Sequence, residues 1–170
     1  ILADEVYAGA EAHGEPTPSF WGSHDRVLIT NSLSKAYGLP GLRLGWIVGP
    51  ESIMTELWGR TDYITIAPSS VSDLLARVAL EPATRKKIGE RTRGIVRKNL
   101  GVLQEWMDAQ EGRFRYRPPD AGAICYTHYD AAVNSSDFAE TLRVEKSVLV
   151  VPGDHFGMDH YLRLGFGNPE

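Results

Sequence analysis

Two apolar runs that end in polar residues constrain this chain most. ILADEVY and RVLITNS each read as a short strand whose far end carries the chemistry, and the second continues without a break into LSKAYGLPGLRLGW. Gly38, Pro40 and Gly41 make that stretch a turn, because glycine reaches backbone angles closed to other residues and proline fixes its own. LRLGWIVGP then reads as a further strand, stopped by Gly49 and Pro50. Strands set this close and followed by helices call for an α/β sheet with a working edge at its strand ends.

Residues 51–59 have helical character. PSSVSDLLARVAL offers Ser69 or Ser70 as a cap, with Val71, Leu74, Leu75 and Val78 on one face that is expected to cover the sheet. The longest periodic stretch, residues 83–110, carries Ile88, Ile95, Val102 and Trp106 with Val96, Leu100, Leu103 and Met107 beside them. That is a broad apolar stripe, and it predicts one long helix in spite of Gly89, Gly94 and Gly101. Beyond Gly112 come short strands in RFRYRP, GAICYTHYD, SVLVVPG and YLRLGFG, with a helix near residues 136–145. The expected division is residues 1–85 in one domain and residues 86–170 as a connector helix with a smaller α+β domain.

Composition narrows the function classes. A hydrophobic content of 42% over 170 residues suits a globular core, and a net charge of −4 argues against a surface for nucleic acid. No run approaches the roughly 18 apolar residues of a membrane span, and the start lacks the build of a signal peptide. Cys125 is the only cysteine, so no disulfide framework exists and a reducing cytoplasm is the expected location. The chain opens inside a strand and closes on Asn168, Pro169 and Glu170, which reads as a helix start, so it is expected to be an internal piece of a longer protein.

The chemistry gathers around Lys35. Ser32, Ser34, a glycine turn and Arg43 surround it with hydroxyls, backbone N–H groups and a guanidinium, a set suited to a phosphate ester. Glycines at 38 and 41 are expected to turn the backbone so that Arg43 returns to the same anion. Only a neutral amine attacks an aldehyde, so Lys35 is expected to be partly withdrawn from water beside Arg43. Upstream, ADEVY sets Asp4 and Tyr7 at the end of the preceding strand. A carboxylate there suits a protonated pyridine nitrogen, and a phenol suits the ring oxygen.

Taken together, ADEVY, SLSKAYGLPGLRLGW and YLRLGFG resemble the class I/II aminotransferases of pyridoxal-phosphate fold type I, over nearly the whole chain. The resemblance implies part of the large mixed-sheet cofactor domain followed by a smaller α+β domain, with pyridoxal 5'-phosphate as cofactor. It also implies Lys35 as the Schiff-base lysine, Asp4 as partner of the pyridine nitrogen, Tyr7 as partner of the ring hydroxyl, and Ser32, Ser34 and Arg43 as phosphate ligands. Arg163 matches the arginine that clamps the substrate α-carboxylate. Amino-acid and 2-oxo-acid substrates and a homodimer are implied too. The glycine-rich phosphate turn, the ring-stacking aromatic residue and an upstream asparagine contact of the family have no counterpart in these 170 residues.

Other readings were weighed on the same residues. The cofactor residues do not fix the reaction, so a lyase or synthase of the same fold is the alternative enzyme. A ligand-sensing domain of a transcription regulator is the alternative outside enzymes. GDHFGMDH gathers Asp154, His155, Asp159 and His160, but the two histidines are off the spacing of a helical metal site, and no metal is expected. TRKKIGERTRGIVRK reads as the wet face of the connector helix.

Overall fold

The structure, a computed structural model, describes residues 1–169. It divides into two compact units, Ile1–Arg93 and the residues from Gly94 onward. The first is built on a three-stranded sheet in the order β1 (Leu2–Asp4), β2 (Leu28–Ser32), β3 (Gly45–Val48). β1 and β2 run parallel with Asp4 beside Thr30, while β3 returns antiparallel with Gly45 beside Ser32. The working ends of β1 and β2 therefore lie on one edge, and β3 begins there. Ligands of open α/β sheets collect at such strand ends.

The helices of this unit are α1 (Glu51–Thr61), α2 (Ser70–Leu80) and α3 (Pro82–Asp108), the last continuing past the division. A core of Ala10, Leu33, Ala36, Tyr37 and Ala76 draws in Leu39, Leu42, Leu44, Trp46 and Ile88. Tyr37 meets Trp46 edge-on at 6.2 Å, a favoured arrangement of ring quadrupoles.

One expectation is overturned in α2. Val71, Leu74, Leu75 and Val78 do share a face, but that face is exposed, from 47% at Leu75 to 66% at Val71. Ala76 and Ala79 are buried instead, with Ala76 in the core beside Leu33 and Tyr37. Small side chains let a helix backbone approach closely, so the alanine face packs and the large-residue face is left outward. Val102 and Trp106 of the long stripe are likewise exposed, whereas Val96, Leu100 and Met107 are buried.

The second unit holds a four-stranded antiparallel sheet in the order β4 (Phe114–Tyr116), β5 (Ile124–Tyr129), β7 (Tyr161–Gly165), β6 (Val151–Pro152). Along β5, Cys125, Thr127 and Tyr129 are buried and the residues between them half-buried, as the period of two requires. Helix α4 (Ser135–Lys146) opens on Asn134, whose side-chain oxygen accepts the Asp137 N–H at 2.8 Å, and carries Arg143 and Lys146 in its last turn. Phe138 of α4 packs on Tyr129 at 4.7 Å between ring centres. Asn99 of α3 donates to the carbonyls of Phe166 and Asn168 at 2.8 and 2.6 Å, which ties the chain after β7, while the helix start expected at residues 168–170 runs outside the described residues.

The acids of GDHFGMDH tie the start of α4 to the loop before β7. Asp159 Oδ1 accepts the Ser135 N–H at 2.8 Å, the Ser135 hydroxyl at 3.0 Å and the His160 N–H at 2.7 Å. Asp154 accepts the Ser136 hydroxyl at 2.6 Å and the His155 N–H at 3.0 Å. These bonds, led by the Ser135 amide at Asp159 and the Ser136 hydroxyl at Asp154, hold both carboxyls below their ordinary range. A depressed folded value stabilises the fold above the unfolded value of 3.8, and the gain is lost as pH falls through the folded value. Asp159→Asn should therefore lower the thermal midpoint at neutral pH. A titration from about pH 7 to about pH 3 should show the gap to wild type closing on the acid side.

Candidate active site

The segment after β2 sorts its side chains by direction. Leu33, Ala36 and Tyr37 point into the core, and Leu33 is 0% exposed. Ser32 and Ser34 are left half-buried and Lys35 exposed. The backbone closes around this arrangement: Leu33 N–H donates to Leu44 O at 3.1 Å, Leu39 N–H to Leu33 O at 2.9 Å, and Gly38 N–H to Lys35 O at 2.9 Å. Lys35 is thus held at the tip of a tight turn by an apolar anchor on either side. The expectation that it would be withdrawn from water is not met by these residues, because Leu33, Ala36 and Tyr37 occupy the inward side of the turn.

The Asp4 loop is tied to the Lys35 turn. Glu5 N–H donates to Thr30 O at 2.9 Å, continuing the parallel ladder, and Ala36 N–H donates to Val6 O at 3.2 Å. Val6 lies between Asp4 and Tyr7, so one hydrogen bond sets the loop that bears both beside the residue next to Lys35. Asp4 Oδ1 accepts the Val6 N–H at 3.2 Å, which fixes the carboxylate at the head of its own turn. Ser32 Oγ accepts the Ser34 N–H at 3.2 Å, so the two serines share a local turn.

Arg43 reaches the same edge by a route other than the expected one. Gly38 has φ +64°, but Gly41 lies within a short 3₁₀ turn, Pro40–Leu42, and needs no special angle. Arg43 itself turns left-handed at φ 50° and ψ 39°, just before β3. For a residue with a Cβ this conformation is strained, and such strain concentrates at functional positions. Its guanidinium donates to Pro40 O at 2.9 Å and is otherwise exposed.

Arg163 stands in the second unit, on β7, with Tyr126 of β5 opposite it on one side and Val151 of β6 on the other. Opposed residues share a face of the sheet, so Arg163 faces the side that also carries Tyr126 and Tyr161, whose rings stack at 5.7 Å. Among the described residues the side chains of Lys35, Tyr7 and Arg163 make no hydrogen bond or ion pair within the chain. Within the first unit, the Lys35 amine and the Tyr7 phenol thus keep free hydrogen-bonding capacity of the kind a planar polar ring requires. The fit to a phosphorylated pyridine is therefore one of chemistry: a free amine, an acid and two hydroxyls on one strand edge.

Three residues of consequence lie outside the sequence expectation. Arg91 donates to Tyr37 O at 3.1 Å and Arg93 to Gly9 O at 3.3 Å, although both belong to the stretch read as the wet face of the helix. That reading holds for Lys86, Lys87 and Lys98, which are exposed. Glu11, between two alanines, is only 4% exposed. An acid set among small residues was the available signal. In the second unit Asp154 and Asp159 are committed to the start of α4, and among the described residues no three His, Cys, Asp or Glu side chains are grouped for a metal.

A strand-edge lysine, acid and arginine on a mixed sheet define a class that comparison with known proteins identifies. The structure superposes on a pyridoxal-phosphate-dependent aminotransferase from Streptococcus suis with a TM-score of 0.90 and 35% identity, over 98% of this chain and 43% of that one. The family model for aminotransferases of class I and II matches residues 1–170, and the chain belongs to that family. It is 39% identical over 145 residues to capreomycidine synthase of Streptomyces vinaceus, covering 85% of this chain and 37% of that protein. It is 32% identical to the aspartate aminotransferase of Rhizobium meliloti, over all of this chain and 44% of that protein. The chain thus spans less than half the length of the relatives it matches.

Truncating the apolar anchor tests the local design. Leu33→Ala should cost about 2–5 kcal/mol of stability, the range for emptying a packed leucine site. Urea unfolding of the full-length protein measures this. Cofactor retention should fall with it, because Ser32, Ser34 and Lys35 all hang on that side chain.

Proposed function

We propose that the full-length protein is a pyridoxal-phosphate-dependent aminotransferase that moves an amino group from an amino acid to a 2-oxo acid. The reading is carried by the Ala36–Val6 hydrogen bond, which sets the turn bearing Lys35 against the loop bearing Asp4 and Tyr7. Family membership supports it independently. The bound cofactor supplies an electron sink for the pair released when a bond at the substrate Cα is broken.

Each residue then has a task set by its chemistry. Lys35 Nζ would hold the cofactor through its amine and, when free of it, would take the proton from the substrate Cα. Asp4 keeps a proton on the ring nitrogen, and Tyr7 donates its hydroxyl proton to the ring oxygen. Ser32, Ser34 and Arg43 hold the phosphate, with hydroxyls and guanidinium sharing its charge. Arg163 orients the substrate by a two-pronged grip on the α-carboxylate. The active form is a homodimer, and the cytoplasm is its place of work.

A second reading is favoured by one observation, the 39% identity to a protein named as a synthase. There the same anchor and base would serve ring closure or elimination, with no 2-oxo acid consumed. Borohydride reduction of the full-length holoenzyme should place the label on Lys35, and Lys35→Ala should take up none. A label elsewhere contradicts the site. Turnover that depends on an added 2-oxo acid, with parallel double-reciprocal lines, is the expected result in a screen of amino donors. Turnover without a 2-oxo acid transfers the assignment to the synthase reading.

A further inference from the structure

Helix α3 grips both loops of the candidate site. Arg91 donates to the carbonyl of Tyr37, two residues beyond Lys35, at 3.1 Å. Arg93, two residues further along the helix, donates to the carbonyl of Gly9, two residues beyond Tyr7, at 3.3 Å. The Gly9 turn is held from its other side too, since Glu11 Oε1 accepts the Gly9 N–H at 3.1 Å and the Thr17 N–H at 3.0 Å. Gly9 has φ +92°, a conformation that favours glycine, and its N–H and carbonyl are each taken by a charged side chain. The Ala10 N–H closes the turn onto Tyr7 O at 2.9 Å.

Glu11 is the buried member of this set. The residue is 4% exposed, and Oε2 is buried without a hydrogen-bond partner among the described residues. Burial pushes its carboxyl upward, but the amides of Thr17 and Gly9, its own N–H and the charge of Arg93 outweigh that and lower it. A buried charge is expensive unless matched, and Glu11 and Arg93 meet through the Gly9 peptide, the carboxylate on its N–H and the guanidinium on its carbonyl. Two arginines two positions apart on one helix thus tie the carbonyls of Tyr37 and Gly9 to the same element.

We infer that Arg91 and Arg93, with Glu11, are positioning residues that use α3 to fix the Tyr7 turn in register with the Lys35 turn. None of the three is assigned contact with substrate or cofactor, and all three act through the backbone that carries Tyr7 and Lys35. The inference rests on the reading above that these two side chains hold the cofactor. A hydroxyl donated to the ring oxygen favours the charged oxygen and weakens the hold on the proton shared with the Lys35 nitrogen. Loosening the Tyr7 turn therefore raises the pH at which the bound cofactor's visible absorption band changes.

The test uses full-length protein loaded with pyridoxal phosphate. Arg93→Lys and Glu11→Gln should each raise the pH midpoint of the visible band, and Arg91→Lys should weaken cofactor binding about tenfold, the scale of one lost hydrogen bond from a charged group. Lys87→Ala, on the exposed face of the same helix, should change neither. The thermal midpoint of the cofactor-free protein, measured alongside, should stay near wild type in Glu11→Gln, separating positioning from loss of fold. If the arginine variants fail to fold, Glu11→Gln, which keeps both guanidiniums, decides the matter. A wild type with a normal band, and variants with the same midpoint and affinity, overturns the inference and leaves the cofactor reading intact. A wild type that binds no cofactor at Lys35 overturns both.

Discussion

The hydrogen bond from the Ala36 N–H to the Val6 carbonyl, 3.2 Å long, joins two segments that are far apart in the chain and puts their chemistry on one edge. It is possible only because β1 and β2 are parallel and aligned at Asp4 and Thr30, so that both strands end at the same level. A shift of one residue in that register would turn Asp4 to the other face and leave Val6 without its donor. The apolar anchor at Leu33 fixes the turn that carries Ser34 and Lys35, and the left-handed turn at Arg43 leads the chain back into β3 on the same sheet edge.

The second unit is organised by a different constraint. There, strict alternation along β5 and its pairing with β7 put Cys125, Thr127 and Leu162 on the packed side and Arg163 with Tyr126 on the other. The carboxylates of Asp154 and Asp159 secure the start of α4 against the turn that leads into β7. Arg163 therefore sits on a strand paired on both flanks, by β5 on one side and β6 on the other.

The sequence is legible where the cause of a structure is local. Gly38 takes the positive φ expected of it, and the period of α3 predicts one long helix that the structure shows as Pro82–Asp108. It is not legible where the cause is a distant partner. The period of α2 gives an apolar face but not which face packs, and the small face of Ala76 won because it approaches Leu33 and Tyr37 closely. Arg91 and Arg93 look like solvated charges beside Lys86 and Lys87, since nothing nearby in sequence announces the carbonyls of Tyr37 and Gly9. Of the two glycines expected to make the turn to Arg43, Gly38 takes a positive φ and Gly41 does not, and the arginine itself adopts the left-handed conformation.

The most direct measurement is a crystal structure of the full-length protein grown with pyridoxal phosphate. The account predicts electron density continuous from Lys35 Nζ to the ring, the Asp4 carboxylate within hydrogen-bonding distance of the ring nitrogen, and the phosphate against Ser32, Ser34 and Arg43. Density for the ring at another lysine, or a ring nitrogen facing away from Asp4, would contradict it.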